Sequence, residues 1–258
     1  MIEIKNISKS YDGRNVISDI NAVFETRKTN LVIGRSGSGK TVLMKNLIGL
    51  ITPDMGEILF DGRDLLKMSK REILSLRREM GLLFQGSALF DSMSVLENVM
   101  FPLQMFSREL YREQRNRAMT CLERVDLSPE SYDCFPSEIS GGMMKRAAIA
   151  RAIVLQPKYL FCDEPNSGLD PKTALIIDDL IHGITCEYGM TTVINTHDMN
   201  SVMNIGENIL FIKEGIKEWG GTKEQVVCSN SQSLEEFMFA SDLLRKAIEM
   251  ESEKLKEG

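Results

Sequence analysis

The stretch LVIGRSGSGKTVLMKNLIGL, at residues 31–50, decides the fold of this chain. It opens with a short apolar run, 31–33, that is typical of a buried strand, and it closes with an apolar stretch, 42–50, that is typical of a helix. The segment between them, 34–41, matches the pattern GxxxxGK[ST]. In that pattern the glycines let successive backbone N–H groups point at phosphate oxygens, and the N-terminus of the following helix adds partial positive charge. The sequence therefore predicts a strand, a phosphate-binding loop and a helix, in that order.

Two side chains of this loop have predicted tasks of their own. We expect Lys40 to reach the β- and γ-phosphates of a nucleotide, and the Thr41 hydroxyl to ligate Mg²⁺. A glycine-rich turn with an accidental lysine is the alternative, but it requires neither the strand before the loop nor the helix after it. The other residues of this loop that we expect to bind phosphate are Gly34, Ser36, Gly37, Ser38 and Gly39.

A second apolar run, 159–162, ends in two adjacent carboxylates, Asp163 and Glu164. Ligand sites of parallel sheets lie at the carboxyl ends of the strands, so this is where acidic groups are expected. Asp163 is predicted to hold Mg²⁺, and Glu164 to polarise the attacking water as a general base. The alternative is that the two carboxylates only form a turn at the end of a strand.

The order of the remaining patterns indicates the architecture. The first 25 or so residues alternate apolar and polar side chains, as antiparallel strands do. The middle of the chain, about 86–155, is predicted to be helical and includes a helix over 108–125. Beyond it come a helix over 171–188, which begins after the N-cap Asp170, and a strand over 191–195. Because strands and helices alternate, the chain is predicted to be an α/β protein with a parallel sheet, an N-terminal antiparallel β layer and an inserted helical subdomain.

Composition limits the class of protein. The chain has 258 residues, 43% of them hydrophobic and 26% charged, which is typical of a globular protein with ample core. Its net charge of -6 weighs against nucleic-acid binding. It begins without an apolar signal segment and contains no apolar run of about 18 residues, so we expect a soluble cytosolic chain that reaches a membrane only through a partner.

The chain has five cysteines: Cys121, Cys134, Cys162, Cys186 and Cys228. They show no CxxC spacing, which favours a reducing compartment and gives no support for zinc.

The segment 139–143 reads ISGGM and lies about twenty residues before the carboxylate pair. As the start of a helix it offers the Ser140 hydroxyl and the N–H groups of Gly141 and Gly142 to a phosphate. It matches the LSGGQ signature with Ile for Leu and Met for Gln. With this segment in place, residues 1–221 resemble the nucleotide-binding domains of ABC ATPases, which implies a P-loop NTPase core of the RecA-like type.

That resemblance implies how the chain binds ATP. In this family the signature closes over the ATP of a partner subunit, so one phosphate loop and one signature per chain imply a homodimer, or a pair with a related chain, that encloses two ATP molecules. Gln85 matches the glutamine that contacts Mg²⁺ and senses the membrane subunit, and His197 matches the switch histidine that contacts the γ-phosphate. Tyr11 matches the aromatic residue that stacks on adenine. Residues 167–170 match the D-loop, and Asp170 is expected among the nucleotide-binding residues.

Finer features resemble one branch of the family. These are Val42 in the helix after the phosphate loop, the run FQGSALFDSMSV at 84–95, and the SGGM form of the signature. All three resemble the ATPases of Mce-associated lipid transporters, the MlaF-like group. This resemblance implies an MlaE-like membrane permease, accessory Mce-type lipid-binding and regulatory subunits, and phospholipid movement between the membranes of a bacterial envelope. The chain would then lie on the cytoplasmic face of the inner membrane.

Other functions stay open at this point. The chain could serve a transporter of another substrate, or an ABC ATPase that acts in peptidoglycan control or cell division through a membrane protein. A nucleic-acid role is disfavoured because there is neither a long coiled-coil insert nor a second cassette, and a small GTPase because there is no NKxD motif. The C-terminal tail, 222–258, is predicted to be helical, with Leu234, Phe237 and Met238 on one apolar stripe. It is either a surface helix with a frayed end or an oligomer contact.

Overall fold

The computed structural model describes residues 1–227, 229 and 231–238. Cys228 and the part of the predicted C-terminal tail from 239 to 258 lie outside the described residues, so the helical prediction there remains a prediction. The strands are β1 Ile2–Tyr11, β2 Arg14–Phe24, β3 Thr29–Ile33, β4 Met55–Phe60, β5 Arg63–Asp64, β6 Met80–Leu83, β7 Tyr159–Asp163, β8 Thr191–Thr196, β9 Asn208–Lys213 and β10 Ile216–Gly221. The helices are α1 Lys40–Leu47, α2 Lys70–Arg78, α3 Val95–Phe106, α4 Tyr111–Arg124, α5 Gly141–Ile153, α6 Pro171–Tyr188, α7 Met199–Ile205, α8 Lys223–Val227 and α9 Gln232–Met238.

The strands form two sheets, as the sequence pattern predicts. The N-terminal sheet is antiparallel, with the order β2-β1-β4-β5, and Ile2 of β1 pairs with Phe24 on one side and Phe60 on the other. The second sheet has the order β10-β9-β3-β8-β7-β6 and is parallel except for the pairing of β10 with β9. Because β6, β3, β7 and β8 run in one direction, the chain leaves all four at the same edge of the sheet.

Two hydrophobic cores hold the larger sheet from its two faces. Side chains along β7 alternate between them: Tyr159 and Phe161 face the N-terminal sheet and α1, while Leu160 and Cys162 face the helices. The ring of Phe60 packs edge-on against Tyr159, with the ring centroids 4.9 Å apart, and so joins the two sheets. β7 is therefore anchored on both faces just before it delivers its carboxylates.

The helical part of the chain begins later than predicted. Residues 86–94 form no helix, and α3 starts only at Val95, where Ser94 and Glu97 cap it reciprocally. The Ser94 backbone N–H donates to the Glu97 carboxylate at 2.8 Å, and the Glu97 N–H donates to the Ser94 hydroxyl at 3.3 Å. In the same way α4 begins at Tyr111 instead of 108, because the Glu113 carboxylate accepts the Leu110 N–H at 3.0 Å. Capping side chains thus set both boundaries.

The described part of the C-terminal tail packs on the chain's own core. Leu234, Phe237 and Met238 of α9 are buried and share one face, which confirms the predicted apolar stripe. The ring of Phe237 lies 5.2 Å from the ring of Phe211 in β9, centroid to centroid. No helix among the described residues is long and apolar enough to cross a membrane.

Gly81 permits a close approach between β6 and α5. A Cβ atom placed on it would collide with the backbone carbonyl oxygen of Ala152, a group that cannot rotate away. We expect Gly81→Ala to lower the free energy of unfolding by about 1–3 kcal/mol, the usual cost of overpacking, measured by chemical denaturation. Gly86→Ala is the matched control, because a Cβ atom there meets no atom of the described residues within 4 Å. Equal stability of the two variants would contradict this account of the β6–α5 contact.

Candidate active site

The phosphate-binding loop follows β3 and ends at the first turn of α1. Gly39 has a φ of 105°, and a Cβ atom there would lie 2.6 Å from the Ile17 side chain, so only glycine suits this turn. Ser36 and Gly37 are exposed. Ser38 is buried, and its hydroxyl has no hydrogen-bond partner among the residues that the structure describes. A buried hydroxyl without a partner is uncommon, and a phosphate oxygen is an acceptor that would satisfy it.

Lys40 folds back over this loop. Its ammonium donates to the carbonyl oxygens of Gly34 at 2.7 Å and Arg35 at 3.1 Å, and its Nζ lies 3.9 Å from Oε1 of Glu164. Burial lowers the pKa of Lys40, while the Glu164 and Asp163 carboxylates act in the opposite direction. A phosphate placed beside this ammonium would favour its charged form more strongly than the neutral carbonyls do.

The two carboxylates at the end of β7 have different neighbours. Asp163 accepts a hydrogen bond at 3.0 Å from the side-chain amide of Asn195, which lies beside it in β8. Glu164 has a φ of 49°, a left-handed conformation that is uncommon for a residue with a side chain. Oε2 of Glu164 lies 2.8 Å from Nδ1 of His197. The bend at Glu164 therefore sends its side chain to Lys40 on one side and His197 on the other.

Gln85 approaches the same edge of the sheet from β6. Its side-chain amide donates to the Ser167 hydroxyl at 3.2 Å, so it meets the D-loop segment predicted from the sequence. Thr41 is exposed in the first turn of α1. The Thr41 hydroxyl, the Gln85 side-chain amide and the Asp163 carboxylate offer oxygen atoms, the ligand type that Mg²⁺ takes.

A site of this kind suits a magnesium ion that shares its ligands with phosphate. Among the described residues no group of three or more His, Cys, Asp or Glu side chains could hold a metal by itself. Mg²⁺ is usually bound by one or two carboxylates together with substrate phosphates, and not by an all-protein cage. The oxygen-rich set formed by Thr41, Gln85 and Asp163 fits that description.

The remaining predicted residues make no hydrogen bond or ion pair with Lys40 among the described residues. Ser140 caps α5, its hydroxyl accepting the Met143 N–H at 3.2 Å, and Gly141 follows it at the exposed start of that helix. Within the described part of the chain no hydrogen bond or ion pair joins 139–143 to 34–41. A Cβ atom on Gly142 would lie 3.0 Å from the Thr173 methyl, so the signature packs against the start of its own α6.

Asp170 and Tyr11 occupy simpler surroundings. The Asp170 carboxylate caps α6, accepting the N–H groups of Lys172 and Thr173 at 3.1 Å each, and its hydrogen bonds with Thr173 lower its pKa. This confirms its prediction as an N-cap, and its role toward a nucleotide remains a prediction. Tyr11 lies exposed at the end of β1 with the ammonium of Lys9 5.5 Å from the centre of its ring.

Two basic side chains on α5, the buried Lys145 and the half-buried Arg151, were not found by sequence reasoning. Lys145 donates to the backbone carbonyl of Gln85. Arg151 donates to the carbonyls of Ser87 at 2.8 Å and Ala88 at 2.7 Å, two residues in the left-handed conformation. Burial lowers the pKa of both basic groups. A basic side chain among the alanines of an otherwise apolar helix is the signal that could have pointed to them.

Comparison with known proteins agrees with this geometry. The family model described as ABC transporter matches residues 17–167. The probable ribonucleotide transport ATP-binding protein mkl of Mycobacterium leprae is 36% identical over 92% of this chain and 68% of its own length. The intermembrane phospholipid transport system ATP-binding protein MlaF of Haemophilus influenzae is 35% identical over 92% of this chain and 90% of its own length. The methionine import ATP-binding protein MetN of Carboxydothermus hydrogenoformans is 39% identical over 83% of this chain and 64% of its own length.

Solved structures of ABC cassettes are also similar to this chain. The dimeric structure of a post-hydrolysis state of the ATP-binding cassette MJ0796, bound to ADP and Pi, covers 86% of this chain and 99% of its own, with a TM-score of 0.79 and 31% identity. Part of the ABC transporter complex cbiONQ, cbiO1 of Clostridium perfringens, covers 89% of this chain and 91% of its own, with a TM-score of 0.81 and 30% identity.

Lys145 is expected to hold the loop after β6 in place. We expect Lys145→Met to speed amide hydrogen exchange in 84–90 by about 10- to 100-fold, because a hydrogen bond to a charged group contributes about 1.5–3 kcal/mol, read by mass spectrometry. Arg146→Met is the control, since Arg146 bonds instead to Asp126 at 2.8 Å and not to the loop after β6. If amide hydrogen exchange in 84–90 is as slow in both variants as in the unaltered protein, Lys145 does not hold this loop in place.

Proposed function

Since the chain belongs to the ABC transporter family and is an ATPase of that family, we propose that two copies of it enclose ATP and drive a membrane permease that moves phospholipid. The observation that carries the proposal is the convergence on Glu164, whose carboxylate lies 2.8 Å from His197 and 3.9 Å from Lys40. Glu164 and His197 directly follow two strands of one sheet, and Lys40 belongs to the loop after a third, whose backbone suits phosphate.

The proposed chemistry is in-line attack of water on the γ-phosphate. Glu164 acts as general base toward the attacking water, and His197, at hydrogen-bond distance, fixes the orientation of that carboxylate. Lys40 and the N–H groups of 34–41 stabilise the charge that develops on the transferred phosphoryl group. A magnesium ion held by Thr41, Gln85 and Asp163 would neutralise phosphate charge during this step.

The proposed dimer follows from where the signature lies. Ser140 and Gly141 are exposed at the start of α5 and have no contact with the phosphate loop of their own chain among the described hydrogen bonds. A second copy brings its signature to that loop and completes the site, so each ATP is held by two chains. The dimeric cassette structure to which this chain is similar supports that arrangement.

The permease is proposed to dock on the segment that follows β6. Phe84 and Phe90 are 39% and 42% exposed there, large apolar side chains of the kind that mark interaction sites on a soluble surface. The loop is held from behind by Lys145 and Arg151. The chain would work at the cytoplasmic face of the inner membrane, attached through an MlaE-like permease and assisted by Mce-type and regulatory subunits.

Phospholipid is proposed as the cargo on two grounds. The SGGM signature and the run at 84–95 resemble the MlaF-like group. The relative named for intermembrane phospholipid transport is matched over 90% of its length. The chain spans 68% of the mkl relative and 64% of the methionine-import relative, which are named for other cargoes and support transport of another substrate as the second candidate.

Removal of the general base tests the catalytic assignment. We expect Glu164→Gln to lower kcat for ATP hydrolysis by about 10²- to 10⁴-fold, the range for losing general-base catalysis, while ATP still binds. Phosphate release gives kcat, and a fluorescent ATP analogue gives the dissociation constant. Glu123→Gln, an exposed position on α4, controls for the charge change. Full turnover by Glu164→Gln would remove Glu164 from the proposed step.

The cargo is tested with the assembled transporter. We expect the chain, tagged and purified from its own membranes, to carry a permease with it, and the complex in phospholipid vesicles to move labelled phospholipid when ATP is added. Vesicles loaded with methionine or a ribonucleotide serve as comparison, and a Glu164→Gln complex reports movement without hydrolysis. ATP-dependent flux of methionine or ribonucleotide, with no phospholipid movement, would overturn the cargo assignment.

A further inference from the structure

A buried carboxylate lies behind the site, outside the motifs that ABC ATPases share. Asp178, in the middle of α6, is 1% exposed. Its Oδ1 accepts the side-chain amide of Asn166 at 2.7 Å. The same amide donates to the Ser201 hydroxyl at 3.0 Å, and Ser201 lies close enough to Asp178 to lower the pKa of that carboxyl. The Asn166 amide thus joins Asp178 and Ser201 in one polar cluster.

Each member of this cluster belongs to a different segment of the site. Asn166 lies two residues after Glu164, on the segment that leads into the D-loop. Ser201 lies in α7, four residues after His197. Asp178 lies in α6, the helix that the D-loop residue Asp170 caps. The cluster therefore joins the backbone after the general base to the backbone after the switch histidine.

The position of Asp178 is costly for a carboxylate. Its neighbours on the helix, Ile177 and Ile181, are fully buried apolar residues. Burial raises the pKa of Asp178 to about 6, and the nearby Asp198 and Asp179 carboxylates act in the same direction, while its bonds to Ser201 and Asn166 oppose it. An apolar side chain would fill this position without the penalty of burying a charge.

We propose that Asp178 is a positioning residue, which holds Asn166 and Ser201 so that Glu164 and His197 keep their mutual distance through the ATPase cycle. This inference rests on the proposed roles of Glu164 and His197. Its physical basis is that hydrogen bonds to a charged acceptor are shorter and stronger than neutral ones. Without them, the left-handed bend at Glu164 loses the support of the segment that follows it.

Neighbouring aspartates of α6 give a matched test. We expect Asp178→Leu to lower kcat for ATP hydrolysis by about 10- to 100-fold, the loss expected for a hydrogen bond to a charged group, with the dissociation constant for ATP within about twofold. Asp179→Leu is the control, because exposed Asp179 also bonds to α7, accepting the Asn204 amide at 2.9 Å. Thermal melting confirms that both variants are folded.

A swapped pair tests the hydrogen bond itself. In Asn166→Asp with Asp178→Asn, the amide and the carboxylate exchange places, so the bond between them is kept with its direction reversed. We expect this double variant to recover kcat to within about threefold of the unaltered protein, since the charge-assisted bond is restored. Asp178→Asn alone keeps the volume and removes the charge, so it should stay below the swapped pair in kcat; a residue that only fills space would give the two variants equal kcat.

The outcomes separate this inference from the proposed function. If Glu164→Gln keeps full turnover in the same assay, the proposed catalytic site fails and the inference falls with it. If Glu164→Gln is inactive but Asp178→Leu matches Asp179→Leu, only the role of Asp178 is overturned. Failure of the folded swapped pair to recover any of the activity lost in Asp178→Leu also overturns it.

Discussion

The site depends on the parallel pairing of β3, β8 and β7. Because parallel strands end at the same edge, the phosphate loop after β3, the carboxylates after β7 and the histidine after β8 meet without any further folding of the chain. Two cores hold these strands from opposite faces, so their ends cannot shift independently. Hydrogen bonds of the Glu164 backbone N–H to the Asn195 carbonyl, at 3.0 Å, and of Asn195 to Asp163 then fix the last residues.

Several features of this edge oppose stability. Glu164 is held in the left-handed conformation, and Lys40 carries a charge in a buried position. Glycine at the first position and an apolar residue at the second would make the fold more stable, but neither has the chemistry of the residue it replaces. The Asn195 side chain is 1% exposed, and within the described part of the chain its Oδ1 has no hydrogen-bond partner, although its amide donates to Asp163. The interiors of the same strands, 31–33 and 160–162, are apolar and buried. Buried polar groups without partners are expected at a binding or catalytic edge, since a purely structural edge has no reason to retain them.

The sequence predicted those parts of the structure that local patterns determine. Glycine spacing identified the loop at 34–41, and the apolar run before Asp163 identified the strand that carries it. The Asp170 N-cap and the helix over 171–188 were also predicted correctly. What could not be predicted depends on packing between distant segments. Lys145 and Gln85 are sixty residues apart, and Asn195 meets Asp163 only because β8 lies beside β7. The predicted start of the helical insert, 86, was too early because the pattern alone could not distinguish apolar loop residues from the first turn of α3.

Under the proposed function, α5 connects the nucleotide of one chain to the permease of the assembly. Its first residues form the signature, while Lys145 and Arg151 hold the carbonyls after β6. At about 1.5 Å rise per residue, Lys145 lies roughly 8 Å and Arg151 roughly 16 Å along the helix from Ser140. A helix is stiff over this length, so a displacement of its N-terminus on closing over ATP is carried to the loop with little loss. Since the loop contacts α5 through hydrogen bonds from charged side chains, it moves with the helix, and the proposed permease surface around Phe90 moves with it.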